Sequence, residues 1–411
     1  MSELSMIKLG DIGKISMCKR VLKNQTSSNG EIPFYKISTF GGKADCFISR
    51  ELYEEYKTKY SFPKKGAILI SAAGTLGRTV IYNGEDAFFQ DSNIVWVDND
   101  ESKVTNSFLY YYYQLKPWKK TIGSTIERLY NDNLRDIDII FPTDINEQER
   151  ITKVLKNIDN RILNNDKIIL ELESMAKTIY DYWFLQYEFP NEEGKPYKSS
   201  GGKMVYSEEL KKEIPEGWTI GTLSKLATFN NGINYDKDEI GDKKYKIINV
   251  RNITSSSLLI NDSELDDIEL KKIQGDKYLV ESNDILIARS GTPGAVRLLL
   301  SNPDDIIYCG FIIKCKPNNE KHRLLLTYYL KMLEGSNATK TGGSIMQNVS
   351  QDTLKQVKIC LPTESVISIF NEKILTLLNK MQCLIKENEE LTKLRDELLP
   401  LLMNGQVSFK N

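Results

Sequence analysis

Residues 68–82 read ILISAAGTLGRTVIY, and residues 285–299 read ILIARSGTPGAVRLL. In both, an apolar run typical of a buried strand leads into a turn of small residues with the pattern G-T-x-G, and a second strand follows. The shared pattern raises two questions. The turn could be a phosphate cradle, or it could belong to a structural unit that the chain contains twice.

Further matching blocks support duplication. Residues 121–143, TIGSTIERLYNDNLRDIDIIFPT, match residues 341–363, TGGSIMQNVSQDTLKQVKICLPT. Near the start of each copy, IKLGDIGKI (7–15) matches WTIGTLSKL (218–226), and FYKIST (34–39) matches KYKIINV (244–250). Four blocks in the same order predict two similar globular domains.

The turns lack the residues that a nucleotide site needs. A phosphate loop requires G-x-x-x-x-G-K-[ST], because its lysine neutralises phosphate charge and its hydroxyl holds Mg²⁺. Neither turn has this pattern, and G-x-G-x-x-G is also absent after both strands. The turns are therefore interpreted as tight connections between strands.

A long helical pattern follows each copy. From about Asn146 to Tyr187, apolar residues recur three and four positions apart, and from about Glu364 they repeat in sevens. We expect the two helices to pair as an antiparallel coiled coil, with Asn165 and Asn388 at inward positions that fix the register. The alternative is that each helix buries its apolar stripe in its own domain.

The predicted fold class is α+β, with two similar domains alternating with two long helices in a pseudo-two-fold arrangement. The predicted boundaries are a first domain at 1–143, a first helix at 144–188, a linker at 189–213, a second domain at 214–363, and a second helix with the C-terminal tail at 364–411.

Composition excludes several function classes. The chain has 411 residues, a net charge of −1, one histidine and six scattered cysteines, so neither a metal cluster nor an imidazole-based triad is visible. No apolar run is long enough to span a membrane, and the start lacks a secretory pattern, so a cytoplasmic protein is expected.

Catalytic motifs are also missing. No N-P-P or D-P-P string of an amino-methyltransferase occurs. A nuclease-like E-x-K, Glu269 to Lys271, lies in the charged stretch ELDDIELKK, which is interpreted as a solvated helix face. The aromatic run Tyr110–Tyr113 could stack on bases. A buried helix face is the preferred interpretation.

The chain resembles the specificity subunit of type I restriction-modification enzymes. The resemblance rests on the two strand-turn strings, on the glycine-serine element that leads to each closing P-T, and on EIPEGWTIGTLSKLA (213–227), INEQERITKVLKNID (145–159) and LRDELLPLLMNGQVSF (394–409). It covers nearly the whole chain in the expected order. It implies two target-recognition domains, each reading one half of a bipartite sequence in double-stranded DNA, and helices that set the spacing.

The resemblance also implies partners and cofactors. Such a subunit is non-catalytic and binds two modification (methyltransferase) subunits, and restriction subunits complete the endonuclease. S-adenosylmethionine, ATP and Mg²⁺ are expected in the partner subunits, with no cofactor in this chain. Two alternatives stay open here: a recognition subunit whose single partner both methylates and cuts, and a protein-binding scaffold.

Candidate DNA contacts are polar residues in loops at equivalent positions of the two copies, since Arg and Asn suit base edges and Lys, Ser and Thr suit phosphates. In the first copy they are Lys36, Ser38, Thr39, Lys43, Ser71, Thr75, Arg78, Ser124, Thr125 and Arg128. In the second copy they are Asn249, Arg251, Asn252, Arg289, Ser290, Thr292, Arg297, Ser344, Gln347 and Asn348.

Overall fold

The computed structural model describes residues 3–118, 128–235, 241–254, 257–282, 284–300, 304–334 and 349–407. The chain divides into two compact units. One unit consists of Met1–Arg161 with Glu390–Asn411, and the other of Ile162–Glu389. Each unit therefore contains one of the predicted globular copies together with part of each long helix.

The first copy contains nine strands and four helices within the described ranges. The strands are β1 (Leu4–Lys8), β2 (Gly13–Met17), β3 (Ile32–Tyr35), β4 (Phe47–Ile48), β5 (Ile68–Ser71), β6 (Thr79–Ile81), β7 (Phe88–Phe89), β8 (Ile94–Asn99) and β9 (Asp138–Pro142). The helices are α1 (Leu9–Ile12), α2 (Arg50–Lys59), α3 (Asn106–Gln114) and α4 (Asn131–Arg135).

The long helix α5 (Ile145–Tyr180) follows and ends in a π-helical turn, Asp181–Leu185. Asp144 caps its start, because its carboxylate accepts the backbone N–H of Asn146 at 2.9 Å. A hairpin comes next, formed by β10 (Met204–Ser207) and β11 (Lys212–Pro215). Residues 189–213, predicted as a linker, thus contain one strand of this hairpin and the start of the other, and the predicted domain boundaries stay a prediction.

The second copy repeats the first. Its strands are β12 (Thr219–Thr222), β13 (Ala227–Asn231), β14 (Lys243–Ile248), β15 (Asp266–Leu270), β16 (Ile285–Ala288), β17 (Val296–Leu298), β18 (Ile306–Tyr308), β19 (Ile312–Pro317) and β20 (Lys358–Leu361). Its helices are α6 (Leu223–Leu226), α7 (Val250–Thr254), α8 (Lys272–Gly275), α9 (Arg323–Met332) and α10 (Gln351–Gln356), and α11 (Glu364–Met403) is the second long helix.

Sheet topology confirms the duplication. The first copy has a four-stranded sheet in the order β2-β8-β5-β6 and a three-stranded sheet in the order β4-β3-β7. The second copy has β13-β19-β16-β17 and β15-β14-β18, so every strand has a counterpart in the same position. The middle strand of each small sheet pairs in parallel with one neighbour, β7 or β18.

The repeated apolar runs are strands that are buried on both faces. Ile68 and Ile70 of β5 pack into one hydrophobic cluster, whereas Leu69, which points the other way, packs into a second. In β16, Ile285 and Leu286 divide between two clusters in the same manner. This explains why the sequence shows continuous rather than alternating apolar residues at these strands.

The aromatic run forms a buried helix face, which confirms the preferred interpretation. Tyr111, Tyr112 and Tyr113 of α3 are buried, and the Tyr111 hydroxyl donates to Asp159 Oδ2 at 2.7 Å. Asp159 lies on α5 and also pairs with Arg395 of α11 at 3.2 Å. These contacts fasten the first domain to both long helices.

The long helices pair in antiparallel orientation. In the second unit, Tyr180 near the end of α5 packs on Phe370 near the start of α11, with ring centroids 6.2 Å apart. Farther back along α5, Asn165 Nδ2 donates to Asn388 Oδ1 at 2.9 Å. The predicted α+β class and the pairing of the helices are confirmed, and the two inward asparagines meet as expected.

One sequence interpretation was wrong. The charged stretch around Glu269, predicted as a helix face, is the edge strand β15. Its pairing with β14 outweighs the low strand propensity of its acidic residues.

Candidate nucleic-acid interface

The G-T-x-G turns of the two copies have the same backbone hydrogen bonds. In the first, Ser71 N–H donates to Arg78 O at 2.9 Å and Gly77 N–H donates to Ser71 O at 2.9 Å. In the second, Ala288 N–H donates to Ala295 O at 2.9 Å and Gly294 N–H donates to Ala288 O at 2.8 Å. Both glycines of each turn have positive φ, which other residues adopt only with strain. The glycines therefore serve the turn.

The side chains of the first turn separate into two groups. Ser71 is buried, and its hydroxyl accepts the Arg78 N–H at 2.8 Å and donates to the Thr75 carbonyl, so the structure does not present Ser71 to a ligand. Thr75 and Arg78 are exposed. Arg78 Nη1 donates to the Phe40 carbonyl at 2.8 Å and thereby joins this turn to the loop that follows β3.

The loop after β3 carries four candidates. Ser38 and Lys43 are exposed, whereas Thr39 accepts the backbone N–H of Lys36 at 3.2 Å and closes a small turn. Lys36 Nζ lies 2.9 Å from Asp45 Oδ1, and this hydrogen bond raises the pKa of Lys36 above its ordinary value. Asp45 therefore favours the charged form of Lys36.

A third segment lies beside these two. Arg128 Nη2 donates to the Ser92 carbonyl at 2.9 Å, and the next residue, Leu129, donates its N–H to Ala72 O at 2.8 Å. The structure thus brings together the loop after β3, the turn after β5 and the segment at Arg128. Ser124 and Thr125 lie outside the described residues.

The second copy forms a groove at the equivalent position. Its volume is about 540 Å³, and its lining includes Asn249, Arg251 and Asp266. Arg251 is exposed, but Asn252 is buried, and its side chain accepts the Asn249 N–H at 2.9 Å and donates to Glu264 O at 3.2 Å. Asn252 therefore shapes the loop in the way that Thr39 does in the first copy.

The turn after β16 borders this groove. Arg289 Nη1 donates to the Gly310 carbonyl at 3.0 Å, and Gly310 also lines the groove. A Cβ atom at Gly291 would lie 2.8 Å from Val250 Cγ1, so the turn lies directly against α7. Ser290 is half-buried and Thr292 is exposed. Ser344, Gln347 and Asn348 lie outside the described residues.

Arg297 was predicted as a DNA contact, and its position does not suit that role. It is 6% exposed, and its Nη1 lies 3.4 Å from Glu334 Oε1. Burial lowers the pKa of the Arg297 guanidinium below its ordinary value. All three residues of β17 are buried, so the Arg297 side chain points into the protein. A charged group there needs a partner of opposite sign.

Sequence reasoning did not select several groups that lie among the candidates. Gln90 Oε1 accepts the Ile37 N–H at 2.9 Å, and Phe311 lies at the second groove with 60% of its surface exposed. Asp45 and Asp266 contact candidate basic and amide side chains in the two copies. Carboxylates repel phosphate, so nothing in the sequence marks these two aspartates as neighbours of DNA-contacting groups.

A sequence model of the family described as type I restriction modification DNA specificity domain matches residues 1–174 and 215–394. The chain belongs to this family. The two matched ranges each cover a globular copy and much of the helix that follows it, so the resemblance to specificity subunits of type I enzymes is confirmed. The two-subunit enzyme and the protein-binding scaffold are not favoured.

Two relatives support this family assignment. The MjaIX type I restriction enzyme specificity subunit of Methanocaldococcus jannaschii is 27% identical over 430 aligned positions, which cover 97% of this chain and 93% of that protein. A putative type I specificity subunit of Haemophilus influenzae is 58% identical over 180 residues, which are 43% of this chain and 46% of that protein.

Among solved structures, the crystal structure of a type I restriction-modification S subunit from M. genitalium superimposes with a TM-score of 0.53 at 16% identity. The superposition covers 98% of this chain and 96% of that one, and it supports the fold. None of the helices in the described ranges combines the length and apolar character needed to cross a membrane.

Proposed function

We propose that this specificity-family chain is a non-catalytic subunit in which each domain reads one half of a bipartite DNA target. The observation that carries the proposal is the pair of matching loop clusters. Their backbones are placed in the same way by equivalent strands, yet they carry different side chains, such as Lys36 in one copy and Asn249 in the other. Equivalent positions with different hydrogen-bonding groups can select different short sequences.

The partners follow from the family and from charge. A net charge of −1 is low for a protein that neutralises many phosphates alone. We therefore propose that two methyltransferase subunits close around the duplex and supply much of the positive charge, and that restriction subunits add the nuclease. S-adenosylmethionine, ATP and Mg²⁺ would be held by those partners, and no cofactor by this chain. Because the substrate is cellular DNA, we place the complex in the cytoplasm.

The long helices would set the gap between the two half-sites. Inserting four helix-forming residues into α5 after Arg161 adds about 6 Å of helix. At about 3.4 Å per base pair along one strand, the gap in the methylated motif should lengthen by one or two base pairs. Both half-site sequences should stay as they are.

The test is base-resolution methylation mapping in cells that co-express the methyltransferase subunit with the wild-type or the inserted chain. A longer gap between unchanged half-sites supports the division of labour. A changed half-site at an unchanged gap would mean that the helices take part in reading bases and would contradict it.

A further inference from the structure

The two copies share a contact that none of the motifs predicted. In the first copy, Lys36 Nζ lies 2.9 Å from Asp45 Oδ1. In the second, Asn249 Nδ2 donates to Asp266 Oδ2 at 3.1 Å, and Arg251 Nη2 lies 2.5 Å from Asp266 Oδ1. A carboxylate thus holds loop residues that are candidates for DNA contact in both domains.

These contacts occupy equivalent places in the fold. Lys36 and Asn249 are each the first residue after the middle strand of the small sheet, β3 or β14. Each is also the residue whose N–H donates to the side chain three positions later, Thr39 or Asn252. Asp45 lies two residues before the edge strand β4, and Asp266 is the first residue of the equivalent edge strand β15. Different residues therefore make a similar contact at the same end of the small sheet.

Folding stability does not account for this repetition. The side chains of Lys36 and Asp45 are 36% and 58% exposed, and those of Arg251 and Asp266 are 61% and 52% exposed. Ion pairs with this much contact with water contribute little to stability because solvent screens them. What such contacts do in both copies is fix the direction of flexible side chains.

The negative charge also limits what the loops can touch. A carboxylate next to a basic side chain repels phosphate, so these loops are poorly suited to hold the DNA backbone. Base edges are neutral and offer donors and acceptors in fixed patterns. Arginine and lysine can donate to guanine and asparagine can bind adenine, and each does so only when its side chain is correctly oriented. The clamped side chains therefore suit base reading better than backbone contact.

We propose that Asp45 and Asp266 are positioning residues that orient Lys36 in the first domain, and Asn249 and Arg251 in the second, toward base edges. This inference rests on the proposed function, since it assigns the half-site selectivity of each domain to one carboxylate. Neither aspartate contacts a reacting atom. Each acts through the side chain that it holds.

The test uses the complete complex with its methyltransferase subunits and maps methylated sites at base resolution for Asp45→Asn and Asp266→Asn. Each variant should relax one half of the motif. Methylation at sites with one mismatch in that half should rise roughly tenfold relative to sites that match the motif. This is the change expected when one base contact is lost. The two variants should affect opposite halves. Asp266→Glu, which keeps the charge, should retain much of the selectivity.

Matched controls come from neighbouring exposed carboxylates. Asp267, the next residue on β15, pairs with Lys246 at 3.4 Å, and Glu31 in the first domain pairs with Arg50 at 2.9 Å. Asp267→Asn and Glu31→Gln make the same change of charge outside the loops, and both should leave the motif unchanged.

Three outcomes would overturn the proposal: an unchanged motif in both aspartate variants, relaxation of the same half by both, or a uniform loss of methylation with low recovery of the complex. The last would show a structural role. If the wild-type complex itself methylates no split motif, the proposed function fails. If it does and the two variants match it, only this inference fails.

Discussion

Phe370→Ala is expected to destabilise the second unit by about 3–5 kcal/mol, the usual cost of removing a fully buried aromatic side chain. Phe370 has no exposed surface, and its ring centroid lies 4.8 Å from that of Phe184 and 5.9 Å from that of Trp183. The rings of Tyr180 and Tyr328 also lie close to it, with centroids 6.2 Å from that of Phe370. One residue of α11 therefore joins α5 and α9, so its loss leaves a cavity where three helices meet.

The change can be followed by urea unfolding, with hydrogen exchange and mass spectrometry to assign it to Ile162–Glu389. The neighbouring Ile369 is the matched control because it lies on the same helix with 40% of its surface exposed. Ile369→Ala should change the unfolding free energy by no more than about 0.5 kcal/mol. Equal losses in the two variants would contradict the packing described for α11.

Glu334→Leu is expected to cost about 3 kcal/mol, because it removes a carboxylate that pairs with the buried Arg297 guanidinium at 3.4 Å. Glu334 Oε1 also accepts the Val296 N–H at 2.6 Å, so this carboxylate contacts both the backbone and a side chain of β17. Lys331, on the preceding turn of α9, pairs with Glu173 of α5 at 3.2 Å. The network therefore links the second domain to its long helix.

A double-mutant cycle isolates the ionic part of this cost. Because Arg297→Met removes the charge that Glu334 balances, the double variant should recover much of the stability that Glu334→Leu alone loses. Arg297→Met should also leave the methylated motif intact. A change in one half of the motif, with the free energy of unfolding unaffected, would instead place Arg297 at the DNA.

The repeated blocks allowed the sequence to predict much of this fold. Continuous apolar runs such as Ile68–Ile70 and Ile285–Ile287 identified strands buried on both faces. Asn165 and Asn388 were found because an amide within an apolar heptad needs a partner, and the structure pairs them. Long periodic segments and repeats carry their signal over many residues, so single exceptions do not hide them.

Properties that depend on a single contact in the folded chain were not predictable. The hydroxyl of Ser71 and the guanidinium of Arg297 resemble surface groups in the sequence, yet one closes a turn and the other pairs inside the second domain. The charged stretch that forms β15 was predicted as a helix face. It is a strand because it pairs with β14, and no pattern within the stretch itself indicates that pairing. The contacts of Asp45 and Asp266 were missed for the same reason, since each acid and its partner lie on different elements.

The most direct test of the central claim is base-resolution methylation mapping in cells that express the methyltransferase subunit with and without this chain. We expect one split motif to be methylated only when the chain is present. We also expect its two halves to respond separately to changes in the loops after β3 and β14. An identical methylome in both strains, with the methyltransferase present and active, would contradict the account.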